Sequence, residues 1–107
     1  MPHIRKDAGL QTIISTFEVA PAECQALIDL LTEACNDFVS KQPGFIAAAL
    51  HVNDARTRIA NYLQWESREH FQELQRSDEM QAYMHRFLEL AREYQPVMYD
   101  VVMVSGD

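Results

Sequence analysis

The sequence predicts an α+β fold of four antiparallel strands and two helical segments in the order β-α-β-β-α-β, and three observations predict it. Four short runs of strand-like character stand at residues 10–19, 45–52, 56–65 and 97–104. Two intervening stretches, 21–41 and 67–95, repeat apolar residues at helical spacing. The second and third runs are separated by Asn53-Asp54-Ala55, turn chemistry that lets them pair back on each other. This order is the split βαβ of a ferredoxin-like sheet with both helical segments on one face.

Each element has its own justification. In the first run, Ile13, Ser15 and Phe17 alternate with Thr12, Ile14 and Thr16, so it reads as a strand. Pro21 suits a first helical turn and Glu23 suits its positive end. Cys24, Leu27, Ile28, Leu31, Cys35 and Phe38 then recur at helical spacing, which predicts a helix to about Lys41, stopped by Pro43-Gly44. The run from Phe45 to Val52 has small side chains for a strand. Ser67 is positioned to cap a short helix carrying Phe71 and Leu74. Ser77-Asp78-Glu79 restarts the helix, and Met80, Tyr83, Met84, Phe87, Ala91 and Tyr94 give it an apolar stripe that Pro96 ends. The last run is apolar on both sides, which predicts a homodimer packed sheet on sheet.

At 107 residues the chain has room for a single core, expected over residues 10–105, behind a short flexible leader at 1–9. The leader lacks an apolar stretch of signal-peptide length, so a cytoplasmic protein is expected. A formal charge of -7, with the 9 Lys and Arg residues scattered, argues against nucleic acid and membrane surfaces as partners. Cys24 and Cys35 lie eleven residues apart on one expected helix, about 16 Å and out of disulfide reach, and read as small buried hydrophobes. The only glycines are Gly9, Gly44 and Gly106, so there is no phosphate-cradling loop, and no His/Cys/Asp/Glu cluster has metal-ligand spacing. No cofactor is expected.

Chemistry concentrates in the third strand. Alternation puts Ile59, Asn61, Leu63 and Trp65 on one side, an apolar wall bearing an amide and an indole N–H. Such a wall suits a flat, partly polar ligand. An amide on an apolar face costs stability unless it has partners, so Asn61 carries most of the functional weight. His70, on the first turn of the short helix, is the candidate base, because an imidazole titrates near neutrality. Leu63, Phe71, Tyr83, Met84 and Phe87 are candidate substrate contacts, with Ala47 and Ala49 leaving space opposite them. His51 reads as solvated.

Three segments carry a resemblance: Pro43-Gly44-Phe45, the block Asn61-Tyr62-Leu63-Gln64-Trp65-Glu66-Ser67, and Ser77-Asp78-Glu79-Met80-Gln81-Ala82-Tyr83. Through them the chain resembles the antibiotic biosynthesis monooxygenase family from about Thr12 to Val104. That resemblance implies a dimeric α/β barrel. It is strongest to anthrone-oxidising members, which convert phenolic polycyclic ketones to quinones with dioxygen and without flavin, haem or metal. Quinol monooxygenases share the Ser-Asp-x-Met-x-Ala-Tyr helix. The implied roles are anion-stabilising donation by Asn61 and Trp65 toward an oxygen where charge develops. The site tyrosine of the anthrone enzymes corresponds to Phe71, and their helix arginine falls at His85 or Arg86. In a haem-degrading branch a helix histidine ligates iron; its position is Met84 here, with His85 one residue on. The function expected is thus a cofactor-independent monooxygenase acting on a small aromatic phenol, hydroquinone or anthrone-like polyketide. The alternatives are a non-catalytic ligand-binding or stress-related dimer of the same fold, and a haem-binding oxygenase.

Overall fold

A computed structural model describes residues 10–106 of the chain; the expected leader lies outside the described residues. Four strands form one antiparallel sheet: β1 (Gln11–Val19), β2 (Phe45–Val52), β3 (Arg58–Trp65) and β4 (Ala91–Tyr99), in spatial order β2-β3-β1-β4. Helices α1 (Pro21–Asp37), α2 (Arg68–Arg76) and α3 (Asp78–Leu90) pack on one face. The ferredoxin-like α+β class is therefore the observed one. Among the described residues, no helix is long and apolar enough to cross a membrane.

Register decides what each strand buries. Ile13, Ser15 and Phe17 of β1 lie opposite Leu63, Asn61 and Ile59 of β3, and this phase points toward the helices. The core gathers there: Ile13, Cys24, Leu27 and Trp65 have no exposed surface, and Phe17 and Ile59 almost none. Phe17 stacks on Tyr94 at 4.6 Å and meets Phe87 edge-on at 6.0 Å, each pair worth about 0.5–1.5 kcal/mol beyond its buried area. These contacts tie β1, β4 and α3 together.

Three boundaries differ from the sequence reading. Helix α1 ends at Asp37, because Phe38 leaves helical geometry (φ -134, ψ -61) and a 3₁₀ turn over Val39–Lys41 buries Val39. Strand β3 starts at Arg58, because the Asn53 side-chain oxygen accepts from the backbone N–H groups of Thr57 and Arg58 and holds the preceding residues as a turn. The largest difference is at the end of α3. Ala91 and Tyr94 fit a helical stripe by spacing, yet both lie on β4, opposite Val19 and Phe17. Pairing along nearly the whole of β1 outweighs helix propensity there. Pro96 therefore sits within an edge strand, where a missing N–H is tolerated, and does not end a helix. Residues 101–104, expected as strand, continue without regular structure.

Gly44 makes the entry to β2 possible. Its φ of +86 favours glycine, its carbonyl accepts from Glu66 N–H at 2.7 Å, and the His70 ring packs against its Cα.

Candidate active site

A cavity with about 510 Å³ of empty space, part of it open to solvent, lies between the cavity-facing phase of the sheet and the three helices. The sheet supplies Ser15, Phe17, Asn61, Leu63 and Tyr94. Helix α1 and the turn after it supply Leu31, Ala34, Cys35 and Val39; α2 adds Phe71, Leu74 and Gln75; and α3 adds Met80, Met84 and Phe87. The surface is mostly apolar, with a few polar groups arriving from different strands and helices.

Of the residues singled out in the sequence, Asn61, Leu63, Phe71, Met84 and Phe87 meet on this cavity. Asn61 is there because the β3 phase that buries Ile59, Leu63 and Trp65 carries it toward the helices, opposite Ser15. The methionines and Phe87 are there because positions 80, 84 and 87 share one face of α3.

Five others are placed elsewhere. Trp65 is fully buried behind the wall, edge-on to Phe45 at 5.6 Å and 6.2 Å from Phe71. Its Nε1–H has no hydrogen-bond partner among the described residues, and a buried orphan donor of this kind costs about 1–3 kcal/mol. His70 does not line the cavity: its Nδ1 is 2.7 Å from Ser67 Oγ, its backbone N–H donates to the same oxygen, and its ring packs on Gly44. This is a helix-capping arrangement. Tyr83 packs between Phe38 and Phe87, one step off the cavity face of α3.

Ala47 and Ala49 lie opposite Gln64 and Tyr62, on the other face of the sheet. A register shift between Phe45 and Ala47 reverses the alternation that a regular β2 would have, and brings Ala48 and Leu50 to the helix side. The two helix positions left open in the sequence also point away. His85 is exposed, and Arg86 pairs with Glu33 at 3.3 Å while lying over the Tyr83 ring. His51 is exposed, as expected.

Sequence reasoning missed Ser15, Cys35 and Tyr94. Ser15 had a usable signal, as the polar residue between Ile13 and Phe17 on a buried phase; Tyr94 was hidden by its assignment to a helix. Burial pushes the Cys35 thiol above its ordinary range. Burial also raises the Tyr94 phenol, and a hydrogen bond with the Ser15 side chain offsets part of that rise. Among the described residues these two are the titratable groups of the lining, which includes no carboxylate, imidazole, lysine or arginine. The arrangement can therefore bind a flat aromatic molecule, keep water from most of it, and donate hydrogen bonds to one edge.

The sheet's opposite face has its own buried polar atoms. Gln64 is fully buried, and both of its amide atoms and the Tyr62 hydroxyl have no partner among the described residues.

The profile of the family described as antibiotic biosynthesis monooxygenase matches residues 11–86. The chain is 27% identical to the tetracenomycin-F1 monooxygenase of Streptomyces glaucescens, an alignment covering 99% of this chain and 94% of that protein. Its fold superposes on SnoaB, a cofactor-independent oxygenase from Streptomyces nogalater, with a TM-score of 0.78 at 18% identity, covering 94% and 100% of the two chains. A conserved protein from Methanosarcina mazei gives the same TM-score at 15% identity, over 87% of this chain and 93% of that one.

Proposed function

The chain belongs to the antibiotic biosynthesis monooxygenase family, and on that premise we propose that it oxidises a small aromatic phenol, hydroquinone or anthrone-like polyketide to a quinone with dioxygen and no prosthetic group. The observation that carries this reading is the Asn61 amide on a largely apolar cavity wall whose described residues include no general base. Similarity to the tetracenomycin-F1 monooxygenase and the fold shared with the oxygenase SnoaB support it.

The reaction follows from the electronic state of dioxygen. A triplet oxidant accepts one electron at a time, so the organic substrate must first become an electron-rich anion. A wall with donors serves that step by making the substrate itself more acidic. An amide N–H aimed at the oxygen where charge collects favours the enolate or phenolate over its acid, typically by a few kcal/mol in a dry site. For an anthrone, the anion passes one electron to dioxygen, and the resulting radical and superoxide combine to a hydroperoxide at the ring carbon. Loss of water from the hydroperoxide leaves the second carbonyl. One oxygen atom enters the product; the other leaves as water with the two hydrogens of the original methylene.

Trp65 has a place in this scheme as a reserve donor. Its unpartnered Nε1–H sits beside Phe71, which lines the cavity, and a ligand that displaces the Phe71 ring would meet it. His70, His85 and Arg86 have no part in the reaction proposed, and neither iron ligation nor a proton relay is assigned to them.

The functional unit is a homodimer joined through the sheet face away from the helices. Val97 and Tyr99 of β4 are 42% and 47% exposed, Val102 and Met103 beyond it 77% and 71%, a concentration of apolar surface that favours a partner. A hydrodynamic mass near twice 12.3 kDa is expected; a monomer at micromolar concentration would remove this part of the reading. Free Cys24 and Cys35 fit a reducing, cytoplasmic setting.

Oxygen uptake by metal-free protein over a panel of anthrones and hydroquinones tests the activity. A rate above background that falls about a hundredfold in Asn61→Ala is the expected result. No rate on any member of the panel would leave a non-catalytic ligand-binding dimer as the better description.

A further inference from the structure

The cavity holds a phenol that the reaction above has not used. Tyr94 lies on β4 with its ring stacked on Phe17 at 4.6 Å and 11°, so its plane and direction are fixed by a neighbour that is itself 2% exposed. Both rings line the cavity. Between the Tyr94 strand and the Asn61 strand runs β1. Ser15 of β1 is opposite Asn61 on one side and Pro96, two residues beyond Tyr94, on the other. Ser15 is 3% exposed and also on the cavity wall, so three polar side chains from three adjacent strands occupy one patch of an otherwise apolar surface.

Ser15 and Tyr94 face the same cavity from neighbouring strands, where a hydroxyl beside a phenol either donates to its oxygen or accepts from it. Contact with Ser15 lowers the Tyr94 pKa, against the larger upward push of burial. A neighbour lowers a phenol's pKa by donating to its oxygen, because that bond strengthens when the oxygen is ionised. A Ser15 hydroxyl that donates to Tyr94 leaves the phenol's own O–H free for the cavity. Burial holds the phenol protonated at neutral pH, so the proton is there to be donated.

Resting on the oxygenase reading of this cavity, we propose that Tyr94, braced by Ser15 on the strand beside Asn61, is a second donor to the oxygen that gathers negative charge on a flat aromatic ligand. Tyr94 touches the ligand; Ser15 is a positioning residue that acts through it. The substrate selected is then an aromatic molecule with an ionisable ring oxygen at the edge facing β1, and a bare aromatic hydrocarbon of the same outline gains nothing from the patch.

Two dyes separate donation from shape. Alizarin, a flat hydroxyquinone whose colour reports its ionisation, and anthracene, which has no polar atom, are titrated into the full-length protein and into Tyr94→Phe, Ser15→Ala and Asn61→Ala. Tyr94→Phe is expected to weaken binding of the alizarin anion about tenfold, the scale of one hydrogen bond to a charged group, and to leave anthracene affinity unchanged. Ser15→Ala is expected to weaken the anion by a smaller factor, again sparing anthracene, and it carries the test if Tyr94→Phe does not fold. The proposal is overturned if the wild-type protein does not bind the alizarin anion. Equal loss of both dyes in Tyr94→Phe, or wild-type affinity for the anion in that variant, overturns it as well. Should the dye pattern hold while oxygen uptake is absent on every anthrone and hydroquinone, the Tyr94 donor stands and the oxygenase reading falls.

Discussion

Replacing Gly44 by alanine tests whether His70 is part of the scaffold or part of the chemistry. The φ of +86 at Gly44 is in the left-handed region, where a side chain costs roughly 1–2 kcal/mol. A methyl group there would also lie 2.6 Å from His70 Cδ2 and 2.7 Å from its Cβ, so the imidazole must swing away and the first turn of α2 must shift with it. That motion breaks the 2.7 Å contact between His70 Nδ1 and Ser67 Oγ, a loss of about 1 kcal/mol. Gly44→Ala should therefore destabilise the protein by roughly 2–3 kcal/mol in urea unfolding. With the ring removed by His70→Ala, the backbone strain and the 2.7 Å approach to the remaining Cβ persist, so adding Gly44→Ala should cost less than in the wild type but still at least the roughly 1–2 kcal/mol of strain. His70→Ala alone should keep its oxygen-uptake rate under conditions where it is folded. The same penalty in both backgrounds would mean that the ring is not the obstacle, and a collapse of the rate in folded His70→Ala would return the histidine to the reaction.

Other consequences follow from the same geometry. The Cys35 thiol, pushed above its ordinary range by burial, should alkylate slowly with iodoacetamide at neutral pH and still more slowly with alizarin bound, since Cys35 lines the cavity; dye-independent labelling would place the thiol outside the site. Tyr94 has a folded-state pKa above its ordinary 10.0, so the folded protein holds a proton that the unfolded chain releases as pH rises through that value. Stability should fall with pH above 10, and less steeply in Tyr94→Phe; parallel alkaline unfolding curves would remove the phenol as the cause. Arg86→Ala should lose at most about 1 kcal/mol, because its pair with Glu33 is half exposed, and should oxidise substrate at the wild-type rate. A large loss of turnover would show that Arg86 reaches the ligand.

Much of this molecule could be read from residue order because its local signals agree. Strand β2 runs from Phe45 to Val52 as expected despite its small side chains, Ser67 caps α2 through His70 N–H, and the phase of β3 that carries Asn61 toward the helices follows from simple alternation. The largest failures share one physical source, which is long-range pairing. Residues 91–95 carry helical spacing, and only the presence of β1 alongside makes them a strand. Ala47 and Ala49 were expected on the cavity, and a register shift of β2 against β3 turns them to the other face. Ser15 and Tyr94 meet across strands from opposite ends of the chain, so the polar patch around Asn61 is visible only once the sheet is assembled.

Isotopically labelled dioxygen gives the most direct test of the central claim, that this cavity supports oxygenation of an aromatic anion. Metal-free protein incubated with an anthrone under the labelled gas should yield a quinone bearing a single labelled oxygen, at a rate that Asn61→Ala lowers about a hundredfold. Label entering from solvent water, or a rate unaffected by the loss of the Asn61 amide, would contradict it.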